Sequence, residues 1–144
     1  ILILFGGGFA LAAGFGVSGL DKWIGSKLIG ISDWPLWITV LVICLAVTFL
    51  TELTSNTATT TMILPILGMA AVAATIHPLF FMVPATLAAS FAFMLPVATP
   101  PNVIVFGSGW VSIPKMSKAG LILNLLGAGI VTTAVLVLVS GLLI

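Results

Sequence analysis

Arginine is missing from this 144-residue chain, lysine occurs only four times, and Asp and Glu together only three times. The charged residues are Asp21, Lys22, Lys27, Asp33, Glu52, Lys115 and Lys118. A soluble domain is about a quarter charged, whereas this chain is 5% charged and 61% hydrophobic, with a mean hydropathy of +1.41. So few charges cannot solvate a globule of this length, which excludes a water-soluble fold and indicates a multi-pass membrane protein. With a net charge of +1 and scattered lysines there is no basic surface for nucleic acid. The single cysteine, Cys44, lies in an apolar run and carries no redox information. One Cys and one His, His77, are too few for a zinc site. The chain opens at Ile1 inside an apolar stretch, with no initiator Met and no cationic segment ahead of it. That is unlike a signal peptide, and we expect a fragment of a longer chain.

What is present is organised by the gaps between charges. Four stretches lack Asp, Glu, Lys and Arg: Ile1 to Leu20, Trp34 to Thr51, Leu53 to Pro114, and Ala119 to Ile144. About 20 apolar residues cross about 30 Å of hydrocarbon, so the first, second and fourth are each of single-span length. The third holds 62 residues. As one helix it would reach about 93 Å, so it must turn back or break.

Two polar clusters interrupt that run. Thr54-Ser55-Asn56-Thr57 continues as Ala58-Thr59-Thr60-Thr61 ahead of the apolar Met62 to Ala74. Ser, Asn and Thr are favoured N-caps, which predicts a helix beginning at about Thr57 or Ala58. The second cluster is Pro96-Val97-Ala98-Thr99-Pro100-Pro101-Asn102. Pro100 disfavours a helical Thr99, and successive prolines suit the first turn of a new helix, where the missing N–H has no partner to lose. Irregular backbone at membrane depth must face protein or a water-filled cavity. His77-Pro78 divides the intervening sequence, and all four tryptophans, Trp23, Trp34, Trp37 and Trp110, fall near expected boundaries, as an aromatic belt requires.

The fold predicted is an all-α polytopic membrane protein. It comprises a transmembrane helix at 1–20, an interfacial helix at 21–30 and a re-entrant hairpin at 34–76 with its tip at 54–57. A broken transmembrane helix follows at 78–111, with its break at 98–102, and then a last transmembrane helix at 117–144. Lys115 and Lys118 lean to the cytoplasmic face, which opens the hairpin to the outside, although Lys22 and Lys27 match them in number.

A helix broken at depth offers N–H groups at the start of its second half, suited to an oxyanion, and C=O groups at the end of its first, suited to a bare cation. Two such breaks facing each other can build both kinds of site without Arg or Lys, as in ion-coupled secondary transporters. Ser55, Asn56, Thr57 and Thr99 offer amide and hydroxyl groups to an anion. The carbonyls of Thr51, Thr54 and Ala98, with the Asn56 side chain, offer hard oxygens to a small cation. Taken singly, Ser, Asn and Thr are ordinary interhelical hydrogen bonders and prolines are ordinary kinks. Two matched breaks in one charge-free run favour a site. Glu52, inside a span, is equally well read as a functional or a structural carboxyl. His77 reads as interfacial. Gly6 to Gly8 and Gly127-Ala128-Gly129 read as close-packing positions, not as a nucleotide loop.

Thr51-Glu52-Leu53-Thr54-Ser55-Asn56-Thr57-Ala58-Thr59-Thr60-Thr61, followed by Phe93-Met94-Leu95-Pro96-Val97-Ala98-Thr99-Pro100-Pro101-Asn102, resembles the C-terminal half of a divalent anion/sodium symporter. That family comprises sodium-coupled dicarboxylate, citrate and sulfate transporters. The resemblance runs over essentially the whole chain. It implies a dimeric symporter of elevator type in the cell membrane, built from two inverted repeats, each with one Ser-Asn-Thr hairpin and one broken helix. Carried over, sodium would be held by Thr51, Thr54, Asn56 and Ala98, and substrate by Ser55, Asn56, Thr57, Thr99 and Pro100. Thr54 stands where relatives often have a smaller or apolar residue, which matters little if its carbonyl is the ligand. Only one Ser-Asn-Thr motif is present, so the first sodium site and half of the substrate site are expected in an N-terminal half outside this sequence. The chain on its own is not expected to transport.

The function predicted is sodium-coupled symport of a di- or tricarboxylate or sulfate, with sodium as coupling ion and no organic cofactor. Its rivals are a sodium-independent carboxylate exchanger and a non-transporting membrane assembly subunit. An intramembrane enzyme is least favoured, because Glu52 and His77 have no evident catalytic partners. Backbone and hydroxyl groups discriminate poorly among succinate, malate, citrate and sulfate.

Overall fold

The computed structural model describes residues 34–143 continuously, together with residues 6, 10, 13, 14 and 17–19. The interfacial helix expected at 21–30 and most of the crossing expected at 1–20 lie outside the described residues, as does residue 144. The continuous part is all helical: α1 (Leu36–Thr51), α2 (Asn56–Ala73), α3 (Leu79–Ala88), a 3-10 turn (Pro96–Ala98), α4 (Pro100–Gly107) and α5 (Ile113–Leu143). Among the described residues α2 and the 113–141 part of α5 are long and apolar enough to cross a membrane.

Many of these helices contain residues that water-soluble helices avoid. Val, Ile and Thr recur through α1, and prolines lie inside α2 (Pro65) and α3 (Pro84). In lipid the alternative to a helix is an unsatisfied backbone, so intrinsic propensity carries little weight. α1 stops because the chain folds over at Glu52, whose backbone caps the helix while the Leu53 N–H reaches back to the Leu50 carbonyl at 3.2 Å. After a four-residue turn at 52–55, α2 begins at Asn56, with Ser55 extended at the N-cap. The start is thus one residue earlier than the capping argument placed it. α2 ends in a Schellman arrangement: Ile76 N–H bonds to the Ala71 carbonyl at 2.9 Å, with Thr75 at φ 58° in the left-handed region.

The helix after His77-Pro78 ends well before the break expected at 98–102. α3 stops at Ala88, and residues 89–99 carry only a turn, an extended stretch and the 3-10 turn before α4 begins at Pro100. The break therefore occupies 89–99, not 98–102. Pro100 and Pro101 sit in the first helical turn, beyond the break. The last helix begins at Ile113, not 117. Pro114 falls in its first turn, where a missing N–H costs nothing, and Met116 N–H bonds to the Ser112 carbonyl at 3.0 Å. Lys115 and Lys118 are exposed within this first part of α5, so they decorate the helix instead of ending it.

α3 packs against both α1 and α2, and α5 packs against α1 and α3, while α1 and α2 touch each other sparingly. The core is a stripe of small and branched side chains: Val40, Cys44 and Val47 on α1, Ala85, Ala88 and Ala89 at the end of α3, and Ala128, Val131, Val135 and Val139 on α5. The alanines let backbones approach closely, which is how helices associate where lipid removes the hydrophobic drive.

Candidate functional site

The end of α1 holds the first part of the broken segment, from Ala88 to Leu95. Where α3 ends, its last carbonyls lose their helical partners. The buried Thr48 and Thr51, three residues apart on one face of α1, supply hydroxyls to them: Thr48 Oγ1 to the Ala88 carbonyl at 3.4 Å and Thr51 Oγ1 to the Ala89 carbonyl at 2.9 Å. Next along the chain, three successive backbone N–H groups turn toward the carboxylate of Glu52. Phe93 and Met94 donate to Oε1 at 2.8 and 2.9 Å, and Leu95 donates to Oε2 at 3.0 Å. The side-chain amide of Asn102, in the first turn of α4, then donates to the carbonyls of Ala92 and Leu95 at 2.7 and 3.0 Å.

These side chains explain why the break opens at Ala89. Residues 89–95 contain no Pro and no Gly, so nothing local stops a helix there. What stops it is an acidic group 41 to 43 residues away that takes three N–H groups at once. Glu52 is 3% exposed and accepts a fourth hydrogen bond, from Asn124 Nδ2 of α5 at 2.7 Å. Bonds to a carboxylate are each worth about 1.5–3 kcal/mol, so four of them outweigh a desolvation penalty of several kcal/mol. Of the two readings left open for Glu52, the geometry selects the structural one: it is the cap of the unwound segment.

The segment is also pressed against α5. A Cβ on Gly120 would stand 2.4 Å from the carbonyl carbon of Phe93 and 2.6 Å from Cα of Met94, so no side chain fits there. Gly127 faces the Phe91 ring more loosely, with a 3.1 Å approach, whereas Gly129 meets open space. Of the Gly127-Ala128-Gly129 group, then, Gly127 and the fully buried Ala128 are the packing positions. Asn124, one turn beyond Gly120, is completely buried, and its Oδ1 has no hydrogen-bond partner. An orphaned buried acceptor costs about 1–3 kcal/mol, comparable with the gain at the amide end, so Asn124 adds little net stability.

The residues expected to bind sodium and substrate are distributed around this frame. Thr51 Oγ1 stands 2.6 Å from Asn56 Oδ1 as well as 2.9 Å from the Ala89 carbonyl. Three oxygens thus share one hydroxyl proton, which can serve only one acceptor at a time. Thr54 lies beside them, its hydroxyl paired with Thr59 and directed to the Leu50 carbonyl at 3.0 Å. Ser55 and Thr57 are exposed, and Ser55 makes no capping bond. The N–H groups of Asn56, Thr57 and Ala58 have no acceptor within α2, because its first bond runs from Thr59 to the Ser55 carbonyl at 2.8 Å. Ala98 is buried in the 3-10 turn and Thr99 is extended at φ −145°, followed by the exposed Pro100. Among the described residues no hydrogen bond joins 98–100 to the hairpin tip; their tie to the site runs through Asn102. The structure therefore brings Thr51 and Asn56 together with the Ala89 carbonyl, leaves the Thr54 hydroxyl on Leu50 and Thr59, and sets Ala98, Thr99 and Pro100 at the other end of the break.

Sequence reasoning did not single out Thr48, Gly120 or Asn124, and it named Asn102 only as the end of the second polar cluster. Asn124 had a signal: it is the one amide side chain in the charge-free run from Ala119 to Ile144. Among the described residues no three His, Cys, Asp or Glu cluster as metal ligands.

Comparison with known proteins agrees with this architecture. A family model described as the sodium:sulfate symporter transmembrane region matches residues 1–143. The sodium-dependent dicarboxylate transporter SdcS of Staphylococcus saprophyticus subsp. saprophyticus is 54% identical over 143 residues, covering 99% of this chain and 28% of that protein. Solute carrier family 13 member 2 of Mus musculus is 54% identical over 135 residues, 94% of this chain and 23% of the relative. Solute carrier family 13 member 1 of Homo sapiens is 52% identical over 131 residues, 91% of this chain and 22% of the relative. The chain spans about a quarter of the length of these relatives. By the match along its whole length, the chain belongs to the sodium:sulfate symporter family.

Proposed function

We propose that this chain is the coupling-ion and anion-binding portion of a sodium-coupled transporter for a di- or tricarboxylate or sulfate. The carrying observation is that Thr51 Oγ1 touches both Asn56 Oδ1 and the Ala89 carbonyl, two acceptors for its one hydroxyl proton. Such a set is short of donors and rich in hard acceptors, which suits a small cation and leaves an acceptor uncompensated without one. Thr54 and Ala98 complete the proposed sodium ligands. Substrate is assigned to Ser55, Asn56, Thr57, Thr99 and Pro100. The open N–H groups at the start of α2 provide a partial positive charge for an anion.

The charge inventory supports coupling. The 62 residues between Glu52 and Lys115 hold no Lys or Arg. An anion entering here needs a cation brought in with it. The names of the relatives, a sodium-dependent dicarboxylate transporter and members of solute carrier family 13, support the same reading. We further propose that the whole protein sits in the cell membrane as a multi-pass homodimer. In this reading a second, inverted repeat supplies the other half of the site, and transport follows an elevator motion.

The test uses the full-length protein carrying this chain, purified and reconstituted. Single cysteines at Ser55 and Thr57 are labelled with and without sodium and succinate. Sodium is expected to protect both positions, and succinate to add protection only when sodium is present. Protection by succinate in choline medium would instead identify a sodium-independent exchanger. Labelling indifferent to every ion and anion would identify an assembly subunit.

A further inference from the structure

We infer that Asn124 and Gly120, one turn apart on α5, are positioning residues for the binding site, although neither lies at the hairpin tip. The inference rests on the sodium-coupled reading above and extends it to a helix outside the two polar motifs. The chain of contacts is short. Asn124 Nδ2 donates to Glu52 Oε1 at 2.7 Å, and the same oxygen accepts the N–H groups of Phe93 and Met94 at 2.8 and 2.9 Å. Gly120 admits the backbone of those same two residues against the helix. α5 thus fixes the extended segment from two sides, through the carboxylate that caps it and through the groove that receives it.

The segment in turn sets both ends of the break. Upstream it runs directly from Ala89, whose carbonyl meets Thr51. Downstream it leads through Leu95, whose carbonyl Asn102 grips at 3.0 Å, to Thr99 and Pro100. Displacing residues 93–95 therefore shifts the Ala89 carbonyl relative to Thr51 and Asn56. Stability does not account for Asn124. Its amide oxygen is buried without a partner, so an apolar side chain of the same size would avoid that cost. What an apolar side chain cannot do is orient the carboxylate. A helix that packs beside the break thereby acquires control over the ions bound at its ends.

The experiment uses the full-length protein and three substitutions: Asn124→Leu, which keeps volume and removes the donor, Gly120→Ala, which pushes on the segment, and Val135→Ala, a core truncation on the same helix. Two readouts are taken: hydrogen exchange of the Phe93–Leu95 amides without ligand, and radiolabelled sodium binding. For Asn124→Leu and Gly120→Ala, exchange is expected to accelerate about tenfold or more and half-saturating sodium to rise about tenfold. Val135→Ala is expected to lower thermal stability while moving neither. Unchanged exchange in both α5 variants overturns the inference. So does faster exchange with unchanged sodium affinity, or an equal sodium shift in Val135→Ala. A wild-type protein that binds no sodium overturns the functional reading instead, and the exchange readout then still decides whether α5 holds the segment.

Discussion

Replacing Glu52 tests the central claim about the fold, that a distant carboxylate creates the helix break. Glu52→Gln keeps the shape. With its oxygen placed where Oε1 now lies, the amide can still accept from Phe93, Met94 and Asn124, but its NH2 then faces the Leu95 N–H, donor against donor. Three bonds drop from charge-assisted to neutral strength, about 1 kcal/mol each, and the fourth is lost. The avoided burial of a charge returns part of this, leaving a net loss of about 2–4 kcal/mol. Glu52→Ala strands three half-buried N–H groups at up to about 1–3 kcal/mol apiece, enough to unfold the segment or drive it back toward helix. Hydrogen exchange in detergent reads this locally. The amides of Phe93, Met94 and Leu95 are expected to exchange roughly 30-fold to 1000-fold faster in Glu52→Gln, from that loss at 1.4 kcal/mol per decade, while α1 amides near Val40 stay unchanged. Wild-type exchange at all three positions in Glu52→Ala would refute the reasoning, because some other group would then be holding the break open.

Three further outcomes are expected. Thr51→Val removes the shared hydroxyl without changing volume and is expected to raise half-saturating sodium at least about tenfold, read by radiolabelled sodium binding, with less than about 1.5 kcal/mol lost from stability. Asn102→Ala orphans the carbonyl of Ala92 and leaves that of Leu95 with only the Ala98 N–H, and is expected to cost about 1–3 kcal/mol, seen as a lower melting temperature in detergent. Thr75→Gly relieves a β-branched residue at φ 58°, a strain of about 1–2 kcal/mol, against an entropic cost of about 0.5–1 kcal/mol. A melting temperature that rises slightly or holds level fits; a clear fall does not.

Whatever is set by neighbours in sequence was legible without a structure. Ser55-Asn56 marked the start of α2 to within a residue or two, His77-Pro78 marked the return, and Pro100-Pro101 marked the start of α4, because caps and prolines act through adjacent backbone. The start of the break was not legible. Ala89 to Leu95 reads as ordinary apolar helix, and the forces that unwind it come from Glu52 on one side and Gly120 and Asn124 on the other. The same limit applies to the site. Thr51 and Asn56 stood out as candidates from their motif, but the Ala89 carbonyl that the structure sets beside Thr51 belongs to a residue whose side chain has no chemistry to announce it. Glu52 carried an evident signal, an ionisable group in a span, yet only the direction of its partners separates a cap from a ligand.

One turn of α1 at the hairpin, Thr48, Thr51 and Glu52, makes five hydrogen bonds to the backbone between Ala88 and Leu95. Two of them are buried and three half-buried, and parting them leaves three N–H groups and the Ala89 carbonyl without these partners, at about 1–3 kcal/mol for each that water does not take up. A gate that opened by pulling the hairpin away from the broken helix would carry that whole cost in every cycle. The two elements are riveted together through side chains of one and backbone groups of the other. In the transport reading proposed above, the cheapest motion is therefore one in which the hairpin and the broken helix travel as a unit.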